Sequence, residues 1–198
     1  MTAIKAEMVR DLRAKTNAGI MNCKEALKES DGDLAKAEDW LRKKGLMIAA
    51  KKATRSAKEG LISSYIHHNG KIGVMTEICC ETDFVARNES FKSFVKDVNM
   101  HIAMASPQYI SNDEVPQDFL EREKEIYVAQ VKNKPPQVVE KIVTGKLKKK
   151  LAEICLLDQP FVKDTDVTIG DRLKSKIAEL GENILIKRFI RFQLGEEA

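Results

Sequence analysis

The chain has 198 residues, 43% hydrophobic and 32% charged, a composition that can bury a core in one large domain or in two smaller ones. Its 34 basic and 30 acidic residues are interspersed, and a net charge of +4 excludes a polycationic nucleic-acid tail. No apolar run reaches membrane-spanning length, and the opening MTAIKAEMVRDLRAKT carries charges where a leader would carry an apolar stretch, so a cytoplasmic protein without membrane contact is expected.

Residues 1–45 read as three short helices. Met8, Val9 and Leu12 mark one apolar face, Met21, Cys23, Ala26 and Leu27 a second, and Leu34, Ala37, Trp40 and Leu41 a third. The turn chemistry lies at Thr16-Asn17-Ala18-Gly19 and Ser30-Asp31-Gly32-Asp33, and Gly45 is placed as the residue that closes the third helix. A basic helical connector, LMIAAKKATRSAKE, follows at 46–59. The period then changes to two. Leu61–His68 and Lys71–Cys80 flank Asn69-Gly70, a hairpin signal in which both turn residues are expected at positive φ, with His67 opposite Ile72 and Tyr65 opposite Val74.

From Phe91 the period returns to that of a helix, with Phe91, Phe94, Val95, Val98, Ile102 and Ala105 in one stripe that should cover the hairpin. Pro107 ends this helix, Pro116 opens the next, and Pro135-Pro136 opens another carrying Val138, Val139 and Ile142. A helix near Ile169–Leu180 is closed by Gly181. The last segment alternates, placing Ile184, Ile186, Ile190, Phe192 and Leu194 on one face broken by Arg188. The reading is α+β: an N-terminal three-helix bundle, then a small antiparallel sheet packed with helices. The expected domains are 1–55, bundle and connector, and 56–198, the α+β core.

Candidates for chemistry are few. Cys23, Cys79, Cys80 and Cys155 show neither zinc nor CxxC spacing and read as reduced core thiols. A Cys79 or Cys80 nucleophile served by His67 or His68 has no orienting third group, and His67 with His68 lacks a third metal ligand. No phosphate-binding glycine loop of the common types occurs, so no cofactor or metal is expected. Arg42-Lys43-Lys44, Lys51-Lys52 and Lys146 with Lys148–Lys150 could meet phosphates, but stacking aromatics are not interleaved with them, and sequence-specific nucleic-acid binding is not expected. One stretch remains: Thr82-Asp83-Phe84-Val85, between the hairpin and the long helix. Either Phe84 and Val85 tuck under the sheet while Asp83 caps the next turn, or Asp83 and Phe84 form an exposed anchor for a partner. The residue pattern leaves both readings open.

CETDFVARNESF resembles the signature of the elongation factor Ts family. The resemblance extends over nearly the whole chain through LRAKTNAGIMNCKEALKESDGDLAKAEDWLRKKG, AAKKATRSAKEG, HIAMASPQYIS, KIVTGKLKKKLAEICLLDQPFV and GENILIKRFIRFQLGE. It implies a guanine-nucleotide exchange factor for elongation factor Tu, acting without covalent chemistry on the GDP-bound and nucleotide-free partner. It implies that Thr82, Asp83, Phe84 and Val85 enter beside the partner's Mg²⁺ and phosphate site, Phe84 as the wedge. It also implies that the N-terminal module is ubiquitin-associated-like and touches the partner through Gly19, Ile20 and Met21. The family usually carries Thr-Gly-Ala-Gly-Met-Met-Asp-Cys-Lys there, and this chain differs at Asn17, Ile20 and Asn22. Only one core module is present, so a non-covalent homodimer, with no cysteine in the last strand, is expected to rebuild the two-module surface of longer members.

Overall fold

Helix α1 (Ala6–Thr16), α2 (Ile20–Glu29) and α3 (Leu34–Lys52) bury Leu12, Cys23, Ala26, Leu27 and Ala37 against one another, with Met8, Val9, Trp40 and Leu41 around them. These are the three apolar faces expected from the periodicity, except that Met21, placed on the second, is exposed. The computed structural model describes residues 4–16, 18–131 and 135–196. Asn17, within the first predicted turn, therefore lies outside the described residues. Between α2 and α3 the chain turns through Asp31 and Gly32, both at positive φ, and the Asp33 carboxylate accepts the Lys36 N–H to start α3.

Gly45 does not end α3. The helix runs on to Lys52, because Leu46–Ala50 supplies good helix formers and Gly45 is buried inside it. A Cβ built on Gly45 would lie 3.6 Å from that of Ala178, an ordinary contact. The first half of the predicted connector, up to Lys52, is thus a continuation of the third helix.

Strands β1 (Glu59–Ile66), β2 (Ile72–Cys80) and β5 (Leu185–Gln193) form an antiparallel sheet in the order β1-β2-β5. The hairpin register is as expected, since the His67 N–H donates to the Ile72 carbonyl at 2.9 Å. The turn differs. Gly70 is left-handed at φ 68°, but Asn69 does not take positive φ. The Gly70 N–H returns to the His67 carbonyl, and the Asn69 side chain accepts the Lys71 N–H at 3.0 Å, so a single glycine suffices. The last strand joins the hairpin as expected, with the Leu194 N–H donating to the Lys71 carbonyl at 2.8 Å.

Two compact units emerge, one of residues 1–61, 78–94 and 172–185, the other of 62–77, 95–171 and 186–198. The first holds the helical bundle, the end of β2, the short helix α4 (Asp83–Arg87), the start of α5 (Glu89–Ala105) and most of α8 (Ile169–Leu180). In the second, Asn99 of α5 fixes the helix to the sheet: its amide oxygen accepts the Thr76 hydroxyl at 2.7 Å, and its nitrogen donates to the Ser63 hydroxyl at 3.0 Å. Phe91, Phe94, Val95, Val98 and Ile102 are buried along α5 as predicted, and Ala105 is half-buried.

The second unit also holds α6 (Gln117–Gln130) and α7 (Pro136–Ile154), with Val115, Ile154 and Cys155 buried among Tyr109, Phe119, Leu120 and Leu151. Strands β3 (Pro160–Phe161) and β4 (Asp164–Thr168) form a second antiparallel sheet, which two-residue and five-residue stretches could not announce by periodicity. The expected single face of β5 divides. Ile184 and Ile186 are buried, whereas Ile190, Phe192 and Leu194 are exposed. In the second unit these three share a sheet face with exposed Ile62, Ile66 and Met75. Arg188 on that face is neutralised by Glu77 of β2 at 2.6 Å.

Candidate functional site

β2 stops at Cys80, and two residues later Thr82 takes an extended conformation, φ −129° and ψ 156°, as the N-cap of α4. Its hydroxyl accepts the Val85 N–H at 3.4 Å. Thr82, not Asp83, is therefore the cap. Asp83 opens the helix and pairs with Arg87 one turn on at 3.0 Å. Asn88 ends α4, and its side chain accepts the Ser90 N–H at 2.7 Å to begin α5. A five-residue helix is thus fixed between two capped corners.

Within α4, burial separates neighbouring side chains. Ala86 is buried and Val85 half-buried, while Phe84 is 82% exposed. A free Phe ring standing in water beside a carboxylate is the unusual feature of this surface. The reading in which Phe84 tucks under the sheet is overturned. The reason is local: a helix begins at Asp83, and its first turn directs Phe84 away from the side that buries Ala86.

The corner before α4 is held by residues distant in sequence. The Glu182 carboxylate accepts the Glu81 N–H at 3.1 Å, the Thr82 N–H at 3.0 Å and the Thr82 hydroxyl at 2.6 Å. In return the Glu81 carboxylate accepts the Asn183 N–H at 2.6 Å and pairs with Arg55 at 3.6 Å. The buried Asn183 side chain donates to the Arg55 carbonyl at 2.8 Å, tying in the chain that follows α3. Past the helix, the Ser90 hydroxyl donates to Glu179 at 2.5 Å, and Lys176 donates to Ser90 at 2.8 Å. Sequence reasoning placed no role on Glu182, Asn183 or Glu179. The available signal was a polar Glu-Asn pair between a glycine-closed helix and an apolar strand.

The second predicted patch lies at the start of α2. Gly19 is its N-cap with φ −58°, and no side chain caps it. Ile20 is 55% and Met21 74% exposed, and Ile20 lines an apolar groove with Ile4, Val9, Arg10, Arg13 and Lys24. This patch and the Phe84 segment belong to the same compact unit.

The thiols are not poised for attack. Cys79 and Cys80 are buried, and burial pushes the Cys80 thiol up to about 11, with the nearby Glu182 carboxylate adding to the effect. His67 pairs with Ile72 at the turn end of β2, whereas the two cysteines lie at its other end. Among the described residues no group of His, Cys, Asp or Glu is arranged to hold a metal, and no helix is long and apolar enough to cross a membrane. Several basic side chains have structural partners. Lys44 pairs with Glu25 and lies 4.7 Å from the Trp40 ring centre, and Lys146 bonds Gln130 and lies 5.5 Å from that of Tyr127.

The family model described as elongation factor TS matches residues 6–196. An elongation factor Ts of Thermodesulfovibrio yellowstonii is 58% identical over 195 residues, covering 98% of both chains. That of Geobacter sulfurreducens is 56% identical over 98% of this chain and 91% of its own. That of Syntrophus aciditrophicus is 53% identical over 98% of each. Identity at this level across nearly the full length leaves one assignment: the chain belongs to the elongation factor Ts family, among the elongation factors of protein biosynthesis.

Proposed function

We propose that this chain is the guanine-nucleotide exchange factor for elongation factor Tu, promoting GDP release and GTP loading during translation elongation. The observation that carries the reading is Phe84, an exposed aromatic on a short, doubly capped helix, in a chain of this family. Phe84 enters between side chains of the partner's GTPase domain. Asp83 repositions groups near the Mg²⁺ that holds GDP, an ion demanding near-ideal octahedral coordination. Thr82 and Val85 shape and support the turn.

The energetics are those of linkage. A protein that binds the nucleotide-free partner more tightly than its GDP complex lowers GDP affinity by the same factor. No covalent bond changes, no cofactor takes part, and the GTP excess of the cytoplasm sets the direction. Residues 1–55 act as a ubiquitin-associated-like docking module, whose exposed Ile20 and Met21 beside Gly19 supply an apolar contact. Residues 56–198 are the core domain. The exposed sheet face of Ile62, Ile66, Met75, Ile190, Phe192 and Leu194 supports a non-covalent homodimer, because a contiguous apolar face of this kind is rare on a monomer. Membranes and specific nucleic-acid sequences are not among the partners.

The test is GDP release from elongation factor Tu, followed with a fluorescent nucleotide. Wild type should accelerate release strongly, and Phe84→Ala should lose at least about tenfold of the maximal rate, the scale of a buried aromatic anchor. Its unfolding midpoint should stay at the wild-type value, since the ring is not part of the core. Equal acceleration by the variant would remove Phe84 from the mechanism.

A further inference from the structure

The Phe84 helix has no core of its own. Five residues cannot hold a helix in water, and α4 buries only Ala86. Its orientation is therefore set at its corners, and the first corner is governed by a single side chain. The Glu182 carboxylate takes both backbone N–H groups of Glu81 and Thr82 and the Thr82 hydroxyl. That hydroxyl also accepts the Val85 N–H that begins α4, so one carboxylate fixes the rotamer of the cap as well as the backbone before it.

Glu182 is itself anchored. It follows Gly181, the left-handed residue that closes α8, and precedes Asn183, whose N–H goes to Glu81 and whose side chain goes to the Arg55 carbonyl. Glu81 and Glu182 thus bond reciprocally, each carboxylate to the backbone beside the other. Neither residue points with Phe84 into solvent, and both are half-buried.

We propose that Glu182 is the positioning residue of the exchange wedge: it holds the Glu81–Thr82 corner so that α4 presents Phe84 ready-oriented to the GTPase. The inference rests on the exchange-factor reading above. Pre-orientation spares the complex the cost of ordering the helix as the nucleotide leaves. Glu182 then acts on the maximal release rate through Phe84 and makes no contribution apart from it.

Glu182→Gln keeps the volume but removes the charge: its one acceptor oxygen can still take the two backbone N–H groups, while its amide N–H replaces the carboxylate oxygen that accepted the Thr82 hydroxyl. In GDP-release titrations it should lower the maximal rate about tenfold, the scale of losing one charge-assisted hydrogen bond, while the half-saturating concentration changes less than about twofold. In a Phe84→Ala background the same change should cost less than about twofold, because the side chain it orients is gone. In the free protein, the amides of Glu81 and Thr82 should exchange with solvent about tenfold faster. Should Glu182→Gln not fold, Thr82→Val, which deletes the bridging hydroxyl, takes its place with the same expected dependence on Phe84.

An unchanged maximal rate, or an equal loss with and without Phe84, overturns the positioning role while leaving the exchange function standing. Wild-type protein that does not accelerate release defeats the exchange reading itself, and the amide measurement still reports whether the brace exists.

Discussion

Residue environments in this protein set opposite demands on two aromatic side chains. Phe84 leaves its ring in water, where burial would gain on the order of 2 kcal/mol, so the fold gains nothing from it and a partner can. His101 is buried in α5 with both ring nitrogens engaged. Its Nδ1 accepts the Val162 N–H at 3.3 Å, which places the proton on Nε2, facing the Gln159 amide oxygen at 2.9 Å. Gln159 is fixed in turn by donating to the Glu153 carbonyl at 2.6 Å. Protonation at Nδ1 would set two donors against each other, and burial holds the imidazole below its ordinary value of 6.5. The unfolded chain then binds more protons than the folded one as the pH falls through that value, so the stabilisation is complete above it and lost below it. Denaturant midpoints taken from pH 7.5 down to 5 should fall for wild type, and His101→Gln should flatten that part of the profile. Parallel profiles would show that His101 does not carry the dependence.

At the scale of elements, α3 separates what a pattern can tell from what packing decides. The apolar faces of α1–α3, the α5 stripe and the return of the last strand were all legible, because long amphipathic segments state their period many times over. The end of α3 was not, since a glycine after Lys43-Lys44 reads as a terminator until its neighbour across the unit is known. That neighbour is Ala178, and Gly45 is an interior residue with room for a methyl group. The two readings give opposite signs on substitution. As an interior helical residue, Gly45→Ala should stabilise by about 0.5–1 kcal/mol and raise the thermal midpoint. A left-handed closing residue would instead have been destabilised. The wedge was legible in a similarly partial way: its four residues stood out and Thr82 caps α4 through a local bond to Val85, but Glu182 as brace depends on bonds spanning 100 residues, which no local pattern encodes.

On the scale of the whole molecule, the proposed contacts with the GTPase and with a second copy of the chain fall in different compact units. Phe84, Ile20 and Met21 belong to the first, and the open sheet face belongs to the second. This division predicts separable defects. Phe192→Lys with Ile190→Lys puts two charges on an apolar face that carries one neutralised arginine, and the substituted side chains remain in solvent in the monomer. Light scattering should move from twice the chain mass to the chain mass, and the unfolding midpoint should lose its dependence on protein concentration. If the second copy restores docking surface, the variant should need a higher concentration to half-saturate GDP release and keep its maximal rate, because Phe84 and its brace are untouched. Phe84→Ala should show the reverse, a lower maximal rate with the dimer intact. A double-lysine variant that stays dimeric would remove this face from the interface, and a monomer with an unchanged half-saturating concentration would show that one chain docks as well as two.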